Sequence, residues 1–504
     1  MGEVPEVGPP PRFDYKSRMH VHLIAVAGTG MGALAGLFKA MGHEVSGSDV
    51  HFDPPMGPAL ERWGIRLMEG FDPAHLEPHP DLVVVGNVCR ADNPEARAAI
   101  DGGLRVTDMA HGLADLALRE TSPLVVAGTH GKTTTTAMCA WLLHEARRDP
   151  GFLIGGLPKN FEESFRAPGK RKLPVTDADR AGALRRTPFA VEGDEYDTAF
   201  FEKTPKFWHY LPEVAIVTSI EHDHVDIYPS FEKYLDAFAQ FVARIPEHGL
   251  LVAAAADPHV ARIVEANAKC EVAWFALQGD DTHGKSPHWL AAPAPADETG
   301  QPFDVFAGGV MSGRFSSPSP GQHNVRNAVA AIAAVCQGFG MPMREARAAL
   351  TRFQGVRRRQ DLLGTPRGVF VYDDFAHHPT AVDETLRALR SKHPSGRMFA
   401  VFEPRSATAC RAMHQQAYAH AFGAADRVIL APLGRSNIPA DQRLDVDKLA
   451  AELASSGKPA HAATDVGDIV SLVAREAGSG DVVALLSNGA FGGIHGQLLE
   501  ALGR

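Results

Sequence analysis

One stretch constrains this chain more than any other: Leu124-Val125-Val126-Ala127-Gly128-Thr129-His130-Gly131-Lys132-Thr133-Thr134. An apolar run that reads as a buried strand ends at Gly128, a glycine-punctuated turn follows, and a helix-forming segment runs to about Arg148. Backbone N–H groups of such a turn and the positive end of the helix point at one place, which suits a polyphosphate. Lys132 reaches the outer phosphates in this reading, and the Thr133 hydroxyl sits on Mg²⁺. The strict phosphate-loop pattern asks for glycine five residues before Gly131, where this chain has Val126. The loop is therefore a variant. The bland alternative, a tight turn with a solvated lysine, has no use for a buried strand on one side and a helix on the other.

At 504 residues the chain exceeds what one core usually organises, so several domains are expected. A net charge of -10 argues against nonspecific nucleic-acid binding, because no basic excess is available to displace counterions from phosphates. Five scattered cysteines (Cys89, Cys139, Cys270, Cys336, Cys410) form no close pair, which fits reduced thiols in the cytoplasm. No apolar run approaches membrane-spanning length and no signal-peptide core opens the chain, so a cytoplasmic protein without membrane partners is expected.

Taken in order, residues 1–18 read as a flexible lead-in. From His20 an apolar strand leads into Gly28-Thr29-Gly30-Met31-Gly32 and an Ala/Leu-rich helix, and a second short strand ends at Asp49. Glycines before a helix with an acid about twenty residues on begin a dinucleotide-type fold, so a nicotinamide dehydrogenase is a rival reading for this part. A further strand ends at Asn87, where open α/β sheets place ligand contacts. Boundaries are expected near 118 and 345, giving domains 19–118, 119–345 and 346–504. Residues 162–188 read as a polar insertion, and 278–320 as a loop-rich patch dense in Pro, Gly and Ser. Elsewhere strands alternate with helices, which predicts three α/β domains with parallel sheets covered on both faces.

A phosphate loop with Mg²⁺ needs further ligands, and the C-terminal ends of strands are placed to supply them. Glu192 and His224 each end a predicted strand. A solvated acid among Glu192, Asp194, Glu195 and Asp197, and a surface imidazole among 24 histidines, are the bland alternatives.

Five motifs in order then resemble the Mur ligase family. They are Gly128–Thr134, Glu192-Gly193-Asp194-Glu195-Tyr196-Asp197, Asp223-His224-Val225-Asp226, His323-Asn324-Val325-Arg326-Asn327 and Asp374-Phe375-Ala376-His377-His378-Pro379. The resemblance spans nearly the whole chain. It implies an ATP-dependent, Mg²⁺-requiring ligase that joins amino acids or peptides to UDP-N-acetylmuramate through an acyl phosphate. It also implies three domains: N-terminal Rossmann-like for the UDP-sugar, central P-loop ATPase-like, and C-terminal Rossmann-like for the incoming amine. Two activities within the family compete: attachment of L-alanine, and attachment of the recycled tripeptide L-alanyl-γ-D-glutamyl-meso-diaminopimelate. Segments such as Glu195–Phe201, Glu403-Pro404-Arg405-Ser406 and Ser487–Gly493 resemble the second. A noncatalytic ATP switch is the alternative from another class.

By carry-over, Lys132, Glu192 and His224 are the catalytic group, with Thr133, Glu192 and His224 as metal ligands. ATP would lie on Gly128, Thr129, His130, Gly131, Lys132, Thr133 and Thr134, with His323, Asn324, Arg359 and Asp374 completing its site. Gly28, Thr29, Gly30, Met31, Gly32, Asp49, Asn87 and Asn160 would line the UDP-sugar site. His377, His378, Arg405 and Ser406 are the expected peptide side, Arg405 by its bidentate fork. Departures from the family pattern fall at Gly193, His222, Phe375 and Cys89, and His222 leaves open which imidazole faces the metal. A monomer or weak homodimer is expected, with domain closure about a hinge near 345.

Overall fold

The computed structural model describes residues 18–169, 186–297, 300–435 and 437–504. The expected lead-in, and most of the expected polar insertion, lie outside the described residues. Three sheets follow one another along the chain. The first has strands β1 (His20–Ile24), β2 (Glu44–Asp49), β3 (Arg66–Glu69), β4 (Leu82–Val85) and β5 (Val106–Asp108), in the order β3-β2-β1-β4-β5. All its pairings are parallel. The order reverses at β1, so the crevice at the sheet's carboxyl end opens beside the Gly28–Gly32 turn.

The second sheet has ten strands: β6 (Ser122–Ala127), β7 (Gly151–Leu153), β8 (Phe165–Arg166), β9 (Pro188–Glu192), β12 (Val214–Val217), β13 (Leu250–Ala254), β14 (Glu271–Leu277), β15 (Trp289–Pro293), β16 (Gln301–Ala307) and β17 (Val310–Ser317). The intervening β10 (Asp197–Ala199) and β11 (Glu202–Pro205) form a separate antiparallel ribbon. Strand β6 runs between β12 and β9 and every residue in it is buried. That placement is why its sequence after Ser122 is continuously apolar rather than alternating. The loop-rich reading of 278–320 is corrected here. Nearly half of that patch is strand, in the antiparallel run β15-β16-β17, whose inward Trp289, Ala291, Phe303, Val305 and Phe315 are buried. Its turn-rich composition, shared between the connections and strand residues such as Pro302 and Gly313, hid an alternating pattern. Part of the expected insertion is likewise structured: β8 pairs with β7, and Phe165 packs edge-on against Trp63 of the first domain.

The third sheet has β18 (Asp361–Gly364), β19 (Phe370–Asp374), β20 (Met398–Phe402), β21 (Arg427–Leu430), β22 (Ala460–Ala462) and β23 (Val482–Leu486), in the order β18-β19-β23-β20-β21-β22. Only β18 is antiparallel to its neighbour. The expected hinge near 345 falls inside the helix Met343–Leu350, whose Ala346, Ala349 and Leu350 are buried in the core of the central sheet. The chain leaves the central domain after it, between Thr351 and Asp361. Among the described residues no helix is long and apolar enough to cross a membrane.

Candidate active site

The carboxyl ends of the central strands converge on a cavity of about 680 Å³ to which all three domains contribute. The turn after β6 forms its floor. Gly128 has φ +132° and Gly131 φ +81°, and an added Cβ would stand 2.1 Å from Thr218 Oγ1 or 2.4 Å from Asn327 Oδ1. Only glycine fits both positions. The helix Lys132–Glu145 starts there with its first N–H groups unpaired by any capping side chain, facing the cavity.

Lys132 folds back over this turn. Its Nζ donates to Gly128 O at 2.6 Å and to Glu195 Oε1 at 3.0 Å. Glu195 is fully buried and also receives the Tyr234 hydroxyl at 3.1 Å, while His224 Nε2 lies 3.2 Å from it. Burial opposes the charge on Lys132. The Glu195 and Glu192 carboxylates overcome it and hold the ammonium above its ordinary range. His224 follows the same logic: burial opposes its charge, but Glu195 and Asp223 raise it.

Thr133 Oγ1 donates to Glu192 Oε1 at 2.8 Å, and Gly155 N holds the other oxygen at 2.8 Å. From the third domain, Arg359 donates to Thr133 Oγ1 at 3.3 Å, with its guanidinium 4.9 Å from the centre of the Phe375 ring. Asp374 is buried and accepts from Gln360 N at 2.7 Å and Ala376 N at 2.8 Å. Burial pushes its pKa up, with Arg359 pulling the other way. Asn324 donates to Pro320 O at 2.7 Å, and His323 lies 3.2 Å from the Gln360 amide.

Most of the expected ATP residues therefore line one space: Thr129, His130, Gly131, Lys132, Thr133, Thr134, His323, Asn324, Arg359 and Asp374. Gly128 lies just beneath it. Glu192 and Thr133 are brought together, but His224 stands on Glu195 rather than on Glu192. His222 turns away, 3.0 Å from Tyr228 O, so His224 is the imidazole that faces the cavity. Of the expected UDP-sugar residues, Thr29 and Gly30 line the cavity and Gly28 sits beside them. Met31 and Gly32 pack inward, and an added Cβ at Gly32 would meet Met56 at 2.3 Å. Asp49 is taken up by Ala27 N and Val50 N, and Asn87 by Asp197 of the central domain. Asn160 is not brought to the cavity: its amide bridges Arg352 O and Gln354 N, splinting the exit from the central domain.

His377 and His378 line the main cavity, while Arg405 and Ser406 line a second one of about 260 Å³ with Asp226, Arg435 and Asn488. Tyr196 and His224 border both, so the two spaces adjoin. Sequence reasoning left out Glu195, the counter-charge of Lys132, and Arg358, which donates to Asp373 and to the carbonyls of Ser487 and Gly489. In the sequence Glu195 is one of four acids in six residues within a family motif, and its full burial is what sets it apart as the partner of Lys132.

The family profile described as "Mur ligase middle domain" matches residues 126–335, with "Mur ligase, glutamate ligase domain" matching 358–489 and "Mur ligase family, catalytic domain" matching 20–121. A curated relative, the UDP-N-acetylmuramate–L-alanyl-γ-D-glutamyl-meso-2,6-diaminoheptandioate ligase of Escherichia coli K12, is 38% identical over 96% of this chain and 99% of its own. This chain belongs to the Mur ligase family. As a member it is an ATP-dependent amide ligase that forms C–N bonds. A UDP-N-acetylmuramate–L-alanine ligase from Roseiflexus sp. RS-1 is 33% identical over 94% of this chain and 96% of its own. Among solved structures, a murein peptide ligase from Psychrobacter arcticus 273-4 superposes with a TM-score of 0.69 at 34% identity, covering 96% of this chain and 99% of that one.

Proposed function

We propose that this Mur ligase joins the tripeptide L-alanyl-γ-D-glutamyl-meso-diaminopimelate to UDP-N-acetylmuramate, in peptidoglycan recycling. The observation that carries this reading is the adjoining of two cavities across Tyr196 and His224. One is lined by phosphate-binding chemistry and the other by Arg405 and Arg435 with Asp226. Two guanidiniums and a carboxylate suit an acceptor that carries several carboxylates and an amine. L-Alanine alone would leave much of 260 Å³ unfilled. The relationship to the tripeptide ligases supports the same choice.

In this reading the sugar's lactyl carboxylate attacks the γ-phosphorus of ATP, ADP leaves, and the peptide amine displaces phosphate from the acyl phosphate. Lys132, the phosphate-loop amides and Arg359 neutralise and orient the transferring group. Thr133 and Glu192 offer hard oxygen donors 2.8 Å from each other, which fits Mg²⁺, and His224 lines the same cavity. When bound, that ion supplies charge neutralisation at the phosphates. His323, Asn324 and Asp374 would receive the nucleoside, and Thr29, Gly30 and Gly28 the UDP moiety. The domains we infer are about 19–118 and 119–350, with the crossover at 351–360 and the C-terminal domain beyond it. A monomer or weak homodimer, working without nucleic acid or membrane, completes this reading.

A substrate panel decides the acceptor. With ATP, Mg²⁺ and UDP-N-acetylmuramate, the tripeptide is expected to give the ligated mass and stoichiometric ADP, and L-alanine far less. Equal or better turnover of L-alanine would reverse the assignment.

A further inference from the structure

The seam between the central and C-terminal domains carries a three-donor cluster at the wall of the main cavity, two of whose members, His130 and His378, are also expected toward ATP and peptide. Glu221 follows β12, His130 lies in the phosphate loop, and His378 precedes the helix Pro379–Lys392 of the C-terminal domain. Glu221 Oε2 is 3.1 Å from His130 Nε2 and 3.2 Å from His378 Nδ1, and the three ligand atoms lie within 4.8 Å of one another. Donors about 2.0–2.1 Å from a tetrahedral Zn²⁺ stand about 3.3 Å apart. Two edges of the triangle already have that length.

The chemistry of the donors points the same way. Two imidazoles and one carboxylate oxygen make a borderline set that favours Zn²⁺ or Co²⁺ over Mg²⁺. Thr133 and Glu192 offer hard oxygens with the single imidazole of His224 expected beside them, so the two positions differ in donor softness. His378 Nδ1, the ligand atom of the triangle, accepts a long hydrogen bond from Thr380 N at 3.4 Å at the start of its helix. Beside the triangle, the His414 ring meets the His378 ring edge-on at 4.8 Å, and its buried Nε2 has no hydrogen-bond partner among the described residues. Asp223 approaches the same region through His377, 3.8 Å away, and adds negative potential.

We propose that His130, Glu221 and His378 form a binding site for a borderline transition-metal dication, Zn²⁺ foremost, that clamps the C-terminal domain onto the phosphate loop. Because the ligands come from three segments and two domains, the bound ion favours the closed arrangement by mass action. Simple hydrogen bonding among the three is the competing account. It places three neighbours, His130, His378 and Thr380, on one oxygen of Glu221.

The test uses the full chain, stripped of metal and held in excess Mg²⁺. Co²⁺ is expected to bind with one equivalent and to give visible ligand-field absorption, which Zn²⁺ then abolishes. Glu221→Gln and His378→Asn should each weaken binding by about tenfold or more, whereas His222→Asn, outside the triangle, should not. Zn²⁺ should also protect the 351–360 connection from trypsin in the parent chain and not in Glu221→Gln. The two substitutions lie in different domains, so circular dichroism leaves at least one folded variant to decide. Absence of binding up to about 100 µM Co²⁺, or unweakened binding in a folded variant, overturns the proposal.

Discussion

The chain contains two glycine turns that begin alike, Gly28-Thr29-Gly30 and Gly128-Thr129-His130-Gly131, and they are built on opposite physics. The first has ordinary backbone: Gly28 sits at φ −69°, and a methyl group added there would have no neighbour within 4 Å. Its glycines leave open space over the turn and, at Gly32, room for Met56. The second requires its glycines, because positive φ and close contacts from Thr218 and Asn327 leave no place for a Cβ. It also curls a lysine back over itself and anchors it on a buried acid. One turn is a surface for a ligand to lie against. The other is a charged instrument under tension from the fold around it.

That contrast can be broken at several points. Lys132→Ala should reduce ligation by about 10³-fold or more, since it removes the main cation at the transferring phosphoryl group. ADP release assayed with saturating UDP-sugar checks this, and near-normal turnover would remove Lys132 from the site. Glu195→Gln should destabilise the fold by about 3 kcal/mol, because it leaves the Lys132 charge buried without its partner. Denaturant unfolding of the variant against the parent reads this directly. Gly131→Ala should cost about 2 kcal/mol in strain, whereas Gly28→Ala should cost under about 0.5 kcal/mol. The expected signature at Gly28 is a raised KM for UDP-N-acetylmuramate at unchanged stability, and equal destabilisation by the two substitutions would erase the distinction.

The smallest effect is a pH dependence beneath the first turn. Asp108 caps the helix Met109–Leu113 and lies 2.6 Å from His111 Nδ1, and Met109 from that helix touches the space over Gly30. The Asp108 hydrogen bond raises the His111 pKa above its ordinary value, against burial. A raised folded value means the contribution is complete below about 6.5 and is lost as pH rises through the folded pKa. The pair is partly exposed, so less than about 1 kcal/mol is at stake. Melting temperatures across neutral to alkaline pH should fall slightly more in the parent than in His111→Asn.

Much of the fold was legible before any coordinates. Strand β6, continuously apolar after Ser122 and set between turn signals, could only be a central strand, and alternating strands and helices implied parallel sheets. The antiparallel β15-β16-β17 run was not legible, because Pro and Gly in and between its strands masked them. The expected hinge near 345 coincides with a helix whose Ala346, Ala349 and Leu350 are buried in the central core, which is a tertiary fact. At the site, Lys132 and Thr133 are read from the order and spacing of the loop, whereas Glu192 enters only through the family resemblance. Glu195 as the partner of Lys132 is not legible, because an acid's burial leaves no trace in its neighbours' identities.

By itself, the sequence determined the phosphate loop, the three α/β units and the set of residues with chemistry to offer. Those follow from local constraints: φ at glycine, strand hydrophobicity, and the charge each side chain can carry. The tertiary structure decided who meets whom. It set Arg359 against Thr133 from another domain, turned His224 inward and His222 outward, sent Asn160 to splint the backbone, and gathered His130, Glu221 and His378 into one triangle. Contacts between segments hundreds of residues apart depend on how sheets and domains pack, and no local pattern encodes that.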